Sequence, residues 1–333
     1  MMHATTMKPL TRAALLATLL AWLPSTALAM GPQPTLLKPA TCTVEGMLND
    51  VRAAMKGGSP SLQRYVKWRL KEAALAMSAE QLQSALLREG DPAVLEALGA
   101  ALATKASNAE SPALVQPLLA RARGDADPAM RAAAVRGLRG VPSVEFMEKN
   151  GGGVTYEQLV RDASPEVRAA VAENLVFESA DVYSGHDRKV SETAVATAVA
   201  SKDPAVAAKL LGEVSMEAVG PEAVEQVAKQ LRAEDPRLRA AAATALGGVP
   251  GTASKGAQRS LVDLYKNDKD PTVRKAALQS IARLGMSGAR SVLESLRGVD
   301  REMDPEIDAW LSALSFNLQE WELLLREKQR LRR

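Results

Sequence analysis

Aromatic residues are nearly missing from this chain: Phe, Trp and Tyr together make up 3% of its 333 residues. A broad compact core usually leans on such large side chains, so a chain this poor in them suits thin layers of closely packed helices filled by Ala and Leu. Cysteine is rarer still. Cys42 stands alone, which excludes an internal disulfide. The histidines are His3 and His186, too few for a zinc site built from several N or S ligands. Catalytic signatures are missing as well. There is no Gly-x-Ser-x-Gly elbow and no Ser-x-x-Lys pair. Gly151-Gly152-Gly153 is not followed by Gly-Lys-Ser/Thr, so it is no phosphate loop. No enzyme activity, metal or cofactor is expected; a site around His186 is the only catalytic alternative. Charge of one sign is also lacking. Lys and Arg number 42 against 39 Asp and Glu, a net +3, which gives no global pull on nucleic acid, and none is expected as a partner.

Only one long apolar run occurs, Ala13 to Leu23, interrupted by Thr18. Lys8 and Arg12 precede it, Pro24-Ser25-Thr26 breaks it, and Ala27-Leu28-Ala29 has the small-x-small form of a signal-peptidase site. The run is short for a bilayer span. The expectation is a secretory signal over 1–29 cleaved after Ala29, with Met7 an equally good start, then an extended linker over 30–44. Cleavage lowers the net charge from +3 to +1. The mature chain has no transmembrane segment and is expected in the periplasm or outside the cell. Cys42 lacks the Leu three residues upstream that a lipidated cysteine calls for, so a quiet thiol or an intermolecular disulfide is the better reading.

What the chain has in abundance is one recurring phrase. It reads Asp127-Pro128-Ala129-Met130-Arg131-Ala132-Ala133-Ala134, then Asp235-Pro236-Arg237-Leu238-Arg239-Ala240-Ala241-Ala242, then Asp270-Pro271-Thr272-Val273-Arg274-Lys275-Ala276-Ala277. A serine opens the copy Ser164-Pro165-Glu166-Val167-Arg168. Looser copies begin at Ser59, Asp91, Asp203 and Asp304. The prolines at 60, 92, 128, 165, 204, 236, 271 and 305 are 32 to 39 residues apart, a period that marks a helical solenoid. The chemistry of the phrase explains the period. Asp caps the free N–H groups of a first helical turn, and Pro at the first helical position gives up an N–H that has no partner there. Leu238, Ala241, Ala242, Ala245 and Leu246 follow as one stripe at helical spacing, and Gly247-Gly248 ends the helix. A second helix precedes each phrase. Capping boxes at Ser78–Gln81 and Thr155–Gln158 mark two of them, and Pro112, Pro221 and the segment 260–265 mark others.

The phrase resembles the HEAT repeat, most of all the short bacterial subtype known as PBS-lyase or E–Z type repeats, over about residues 45–315. The resemblance implies an all-α, right-handed α-solenoid of about eight HEAT-like helix pairs over 45–333, whose Asp-Pro helices line the concave face of a superhelix. Ala207 and Asp308 stand where the phrase has Arg, as do Gln63 and Leu95, so the outer units are less regular. Iron-binding HEAT hydroxylases carry His-Glu pairs, and this chain has none.

Arg131, Arg168, Arg239 and Arg274 recur at one helical position. They form either a cationic ladder for an anionic ligand or a set of clasps between units, and the recurrence beside the cap Asp favours clasps. The outward positions Arg136, Arg139, Glu173, Lys209, Arg237 and Lys275 mix both signs and point to another protein as partner rather than a polyanion. Two stretches break the period, 141–154 and 177–191, and are expected as insertion loops. Tyr65 and Trp68 near the start, with Trp310, Phe316 and Trp321 near the end, are expected to seal the ends of the stack, a docking patch being the alternative. The tail 326–333 carries five cations against Glu327 and, with the insertion loops, offers an alternative, a module that binds an envelope polymer or surface. The function expected is a non-catalytic scaffold or assembly factor of a bacterial cell envelope.

Overall fold

The computed structural model describes residues 43–150, 152–180 and 187–331. The expected leader, Cys42 and His186 lie outside the described residues. In chain order the helices are α1 (Val44–Gly57), α2 (Pro60–Ala76), α3 (Ala79–Arg88), α4 (Pro92–Asn108), α5 (Gln116–Gly124), α6 (Pro128–Arg136), α7 (Ser143–Asn150), α8 (Tyr156–Leu159) and α9 (Pro165–Ala180). They continue as α10 (Arg188–Ala200), α11 (Pro204–Glu213), α12 (Pro221–Gln230), α13 (Pro236–Leu246), α14 (Ala253–Asn267), α15 (Pro271–Gly285), α16 (Arg290–Leu296), α17 (Asp304–Leu314) and α18 (Trp321–Leu331). No strand occurs among the described residues, and the fold is an all-α solenoid. Two compact units are distinguished, residues 1–50 and 51–333. Of the first, residues 43–50 are described; they open α1, where the Gly46 N–H donates to Thr43 Oγ1 at 3.1 Å.

In the second unit the Asp-Pro helices stack in sequence: α2 on α4, α4 on α6, α6 on α9, then α11, α13, α15 and α17. The preceding helices α3, α5, α10, α12 and α14 each pack against the Asp-Pro helix that follows. Alanine makes this layering possible. Ala132, Ala133, Ala134, Ala242, Ala243 and Ala277 are fully buried, and short side chains let the axes approach. The approach is close where α4 meets the end of α6. A Cβ on Gly99 would come within 3.4 Å of the Gly137 Cα, and one on Gly137 within 3.2 Å of the Gly99 Cα.

The helix starts follow the chemistry of the caps. Asp91 accepts from the Ala93 and Val94 N–H groups at 2.9 and 3.2 Å, and Asp270 accepts from Thr272 and Val273 at 2.7 and 3.3 Å. Asp127, Asp203 and Asp235 cap in the same way. Asp91→Ala is expected to cost about 1 kcal/mol, read from the urea midpoint, and Asp91→Asn to retain most of that stability.

Four expectations are corrected. Asp304 is not a cap: it lies in the first turn of α17, which Met303 precedes, and its carboxylate instead accepts the Gly298 N–H at 2.8 Å. Thr155 caps only a single turn, α8. The stretch 141–154 is not a loop insertion, because it holds α7, with Val144, Phe146 and Met147 buried in the core. The aromatics also divide. Trp310 is fully buried and stacks on Trp321 at 5.5 Å, whereas Phe316 at the same end is half exposed and Tyr65 and Trp68 are 48% and 54% exposed. The C-terminal seal is reinforced by Lys328, which is buried against Glu306 with its ammonium 4.0 Å from the Trp310 ring centre.

Candidate functional site

The recurring arginines are engaged between units, with the Arg274 Nε left without a hydrogen-bond partner among the described residues. Arg131 donates twice to Asp162, both bonds at 2.8 Å, and its third nitrogen reaches the Asp125 carbonyl at 2.8 Å. Arg168 binds Asp203 at 3.0 and 3.2 Å and the carbonyls of Asp162 and Ala163. Arg239 binds Asp268 at 2.6 and 3.0 Å and the carbonyls of Ala233 and Glu234 at 2.9 and 2.8 Å. Arg274 pairs with Asp300 at 3.0 Å and reaches the carbonyls of Asp268 and Lys269. Each guanidinium thus ties the loop before its own helix to an aspartate of the next unit. Where the phrase lacks Arg, Gln63 bonds the Met55 carbonyl at 2.9 Å and Asp308 pairs with Arg297 at 2.7 Å. These side chains hold units together and are not free for a ligand.

The free chemistry lies elsewhere, in a groove of about 520 Å3 that crosses four Asp-Pro helices. The α2 helix buries Val66, Leu70 and Ala74, so the same helical period sends Arg64, Lys67, Trp68 and Lys71 outward along one wall. The α4 helix supplies a floor of Ala93, Ala97 and Ala100, with Glu96 beside it. Arg136 at the end of α6 and Arg139 just beyond it form the far rim with Phe177 of α9. Arg136 donates to Glu96 at 3.1 Å, and Arg139 to Glu173 at 2.8 Å. Arg64, Lys67 and Lys71 have no ion pair among the described residues, so the α2 wall presents cations that no carboxylate neutralises by direct contact. Trp68 and Phe177 are each about half exposed.

Of the residues expected to meet a partner, Arg136 and Arg139 line this groove, and Glu173 holds Arg139 at its rim. Lys209, Arg237 and Lys275 lie further along the same layer on α11, α13 and α15, outside the groove, with Arg237 clasped to its own cap Asp235 at 2.7 Å. Arg64, Lys67 and Lys71 had no such role from sequence, whereas Trp68 had one only as the alternative to sealing and Phe177 only as the start of a stretch that could bind as an insertion. Trp68 sits near the start of the stack, where a sealing role is the default, and Phe177 opens a stretch that breaks the period. The signal available was the outward stripe 64, 68, 71 on a helix whose buried stripe is 66, 70, 74.

Residues 191–282 and 224–314 match the family of HEAT repeats. The HEAT-matched part therefore runs from α10 into the end of α17, and the groove lies upstream of it. Among curated proteins, none matches the chain. Several solved structures are similar at low identity. One engineered protein is 18% identical, with 85% of this chain and 97% of that chain covered at a TM-score of 0.26. A second is 17% identical, with 76% and 95% covered at 0.25. A chain from the complex in which Kap95p binding induces the switch loops of RanGDP to adopt the GTP-bound conformation is 13% identical, with 84% and 46% covered at 0.30. Scores this low carry no argument about arrangement or partner. No group of three or more His, Cys, Asp or Glu among the described residues is placed to hold a metal ion, and no described helix is long and apolar enough to cross a membrane.

Proposed function

We propose that this chain is a non-catalytic, protein-binding scaffold made of HEAT repeats throughout, exported to the bacterial cell envelope by the segment 1–29. The observation that carries the reading is the continuous layer of Asp-Pro helices. Its own arginines are consumed in joining unit to unit, while its outward positions keep unpaired Lys, exposed aromatics and an alanine-floored groove. Such a surface offers many weak, shape-dependent contacts rather than one reactive centre. The export segment rests on the pattern of Lys8, Arg12, the apolar run and Ala27-Leu28-Ala29. A polymer-binding role for the tail loses support because Lys328 is buried on Glu306 and Arg330 is held by Glu327.

The test is lysine crosslinking of the full chain in its native cell, with N-terminal sequencing of the recovered protein. The expected result is a chain beginning at Met30, crosslinked through lysines of the Asp-Pro layer such as Lys67, Lys71, Lys209 and Lys275. Crosslinks confined to the other helices, at Lys229 of α12 or Lys255 of α14, would overturn the assignment of the binding face.

A further inference from the structure

We propose that the groove across α2, α4, α6 and α9 is the docking site for an acidic linear segment of a partner protein. That segment would place one aromatic or large aliphatic side chain on the alanine floor between Trp68 and Phe177, and set its carboxylates against Arg64, Lys67 and Lys71. The inference rests on the scaffold reading and names the chemistry of its partner.

Charge argues first. The wall contributed by α2 holds three cations that have no ion pair among the described residues, and the carboxylate in the groove lining, Glu96, is engaged by Arg136. The two opposite cations, Arg136 and Arg139, are held in place by Glu96 and Glu173. An incoming carboxylate therefore gains most on the α2 side, and the segment has a polarity across the groove. Arg64 and Lys71 are seven residues apart on one helix, about 10 Å along its axis. Acidic side chains three residues apart in a polyproline II segment lie on one face and span about 9 Å.

Apolar surface argues second. Ala93, Ala97 and Ala100 give the groove a floor without polar side chains, and Trp68 and Phe177 stand half exposed on its two walls. Single exposed apolar residues are common on protein surfaces, so it is the pairing of two aromatics about one depression that counts. Here they flank a depression wide enough for one bulky side chain, the usual form of an anchor pocket. A sugar polymer can stack on Trp68 but has no bulky apolar side chain for the alanine floor. A nucleic acid would carry its phosphates past Glu96 and Glu173.

The test uses the purified full chain and a fluorescein-labelled peptide of glutamates flanking a central leucine–phenylalanine pair, followed by fluorescence anisotropy. The expected result is saturable, salt-sensitive binding that weakens by about tenfold or more in the triple variant Arg64→Glu/Lys67→Glu/Lys71→Glu and in Trp68→Ala. These positions are exposed, so far-UV circular dichroism stays unchanged. The variant Lys209→Glu/Lys275→Glu, on the same layer outside the groove, keeps its affinity. The proposal is overturned if the peptide does not bind up to about 1 mM, if a lysine-for-glutamate peptide binds equally well, or if the groove variants bind as the parent does. Binding of a polyuronate oligosaccharide through Trp68 with no peptide binding also overturns it, in favour of a polymer site. Crosslinks in the cell at Lys209 and Lys275 alone would defeat this groove and leave the scaffold reading standing.

Discussion

Arg239→Ala is expected to lower the stability of the folded chain by roughly 3 kcal/mol, seen as a drop in the urea midpoint. Four hydrogen bonds leave with the guanidinium, two to the Asp268 carboxylate and two to the carbonyls of Ala233 and Glu234. What remains is more costly than what is lost. The Asp268 side chain is 5% exposed and would keep only the Asp270 N–H, 2.9 Å from Oδ1. Burial by itself raises the Asp268 carboxyl; the Arg239 bonds, the Asp270 N–H and the charges of Arg239 and Arg274 outweigh it and hold the group below its usual range. In the parent protein this contribution is present above the unfolded carboxyl range and is lost as pH falls through the lowered folded value. In Arg239→Ala that support is gone, so the difference between parent and variant shrinks on acidification. Two companion variants sharpen the expectation. Arg239→Lys recovers little, because one ammonium cannot serve a bidentate carboxylate and two carbonyls at once. Arg239→Ala/Asp268→Ala is more stable than Arg239→Ala alone, because it removes the stranded carboxylate. If the double variant is instead the less stable of the two, the clasp is not the source of the loss.

The same clasp shows what the sequence makes legible. In a stacked array each unit touches only its neighbours, so the side chains that join units must recur with the unit. Asp-Pro, the Arg three residues after the proline and the Ala pairs recur, and from them the layers and helix starts can be read. The groove is different because nothing in it recurs. Trp68 appears in one unit and Phe177 in another, and they are neighbours only because α2, α4, α6 and α9 stack in that order. A period also hides what replaces it. The stretch 141–154 departs from the phrase and reads as an insertion, yet it forms α7 and buries Phe146. Its helix is held by a side chain from a different unit, Glu178, and no local pattern announces that contact. One cation of the tail, Lys328, is hidden for a similar reason. Cations in a row read as a solvated surface until Glu306, more than twenty residues upstream, is brought against Lys328.

Glu178 carries the second large effect, a stability that falls as pH rises through the neutral range. Its carboxyl lies in a buried pocket under α7, where it accepts from the Ser143 hydroxyl and, at 3.4 Å, from the Val144 N–H. The Tyr156 hydroxyl lies 2.6 Å from Ser143 Oγ. Because Ser143 donates its single proton to Glu178, Tyr156 must donate to Ser143. Burial pushes the Glu178 carboxyl up from 4.5 to about 7; the bonds from Ser143 and Val144 pull the other way, and the charge of Asp187 adds to the rise. Burial likewise pushes the Tyr156 hydroxyl up, with the Glu178 charge adding to it, so the tyrosine stays protonated throughout. The folded state therefore binds the Glu178 proton more tightly than the unfolded chain does. Its contribution to stability is complete below pH 4.5 and is lost as pH climbs to about 7. Holding the proton that much more tightly in the folded chain corresponds to a loss of roughly 3 kcal/mol on ionisation. Glu178→Gln keeps an acceptor for Ser143 and has no charge to bury. It is expected to flatten this slope and to be the more stable protein at about pH 8. Urea midpoints of parent and variant at about pH 5 and 8 decide the matter; parallel pH profiles would mean that Glu178 ionises in the native state as easily as in the unfolded chain. Phe177 precedes Glu178 on α9 and points into the groove while Glu178 points into the core. The buried bond to α7 therefore also fixes the helical register that presents Phe177 to a partner.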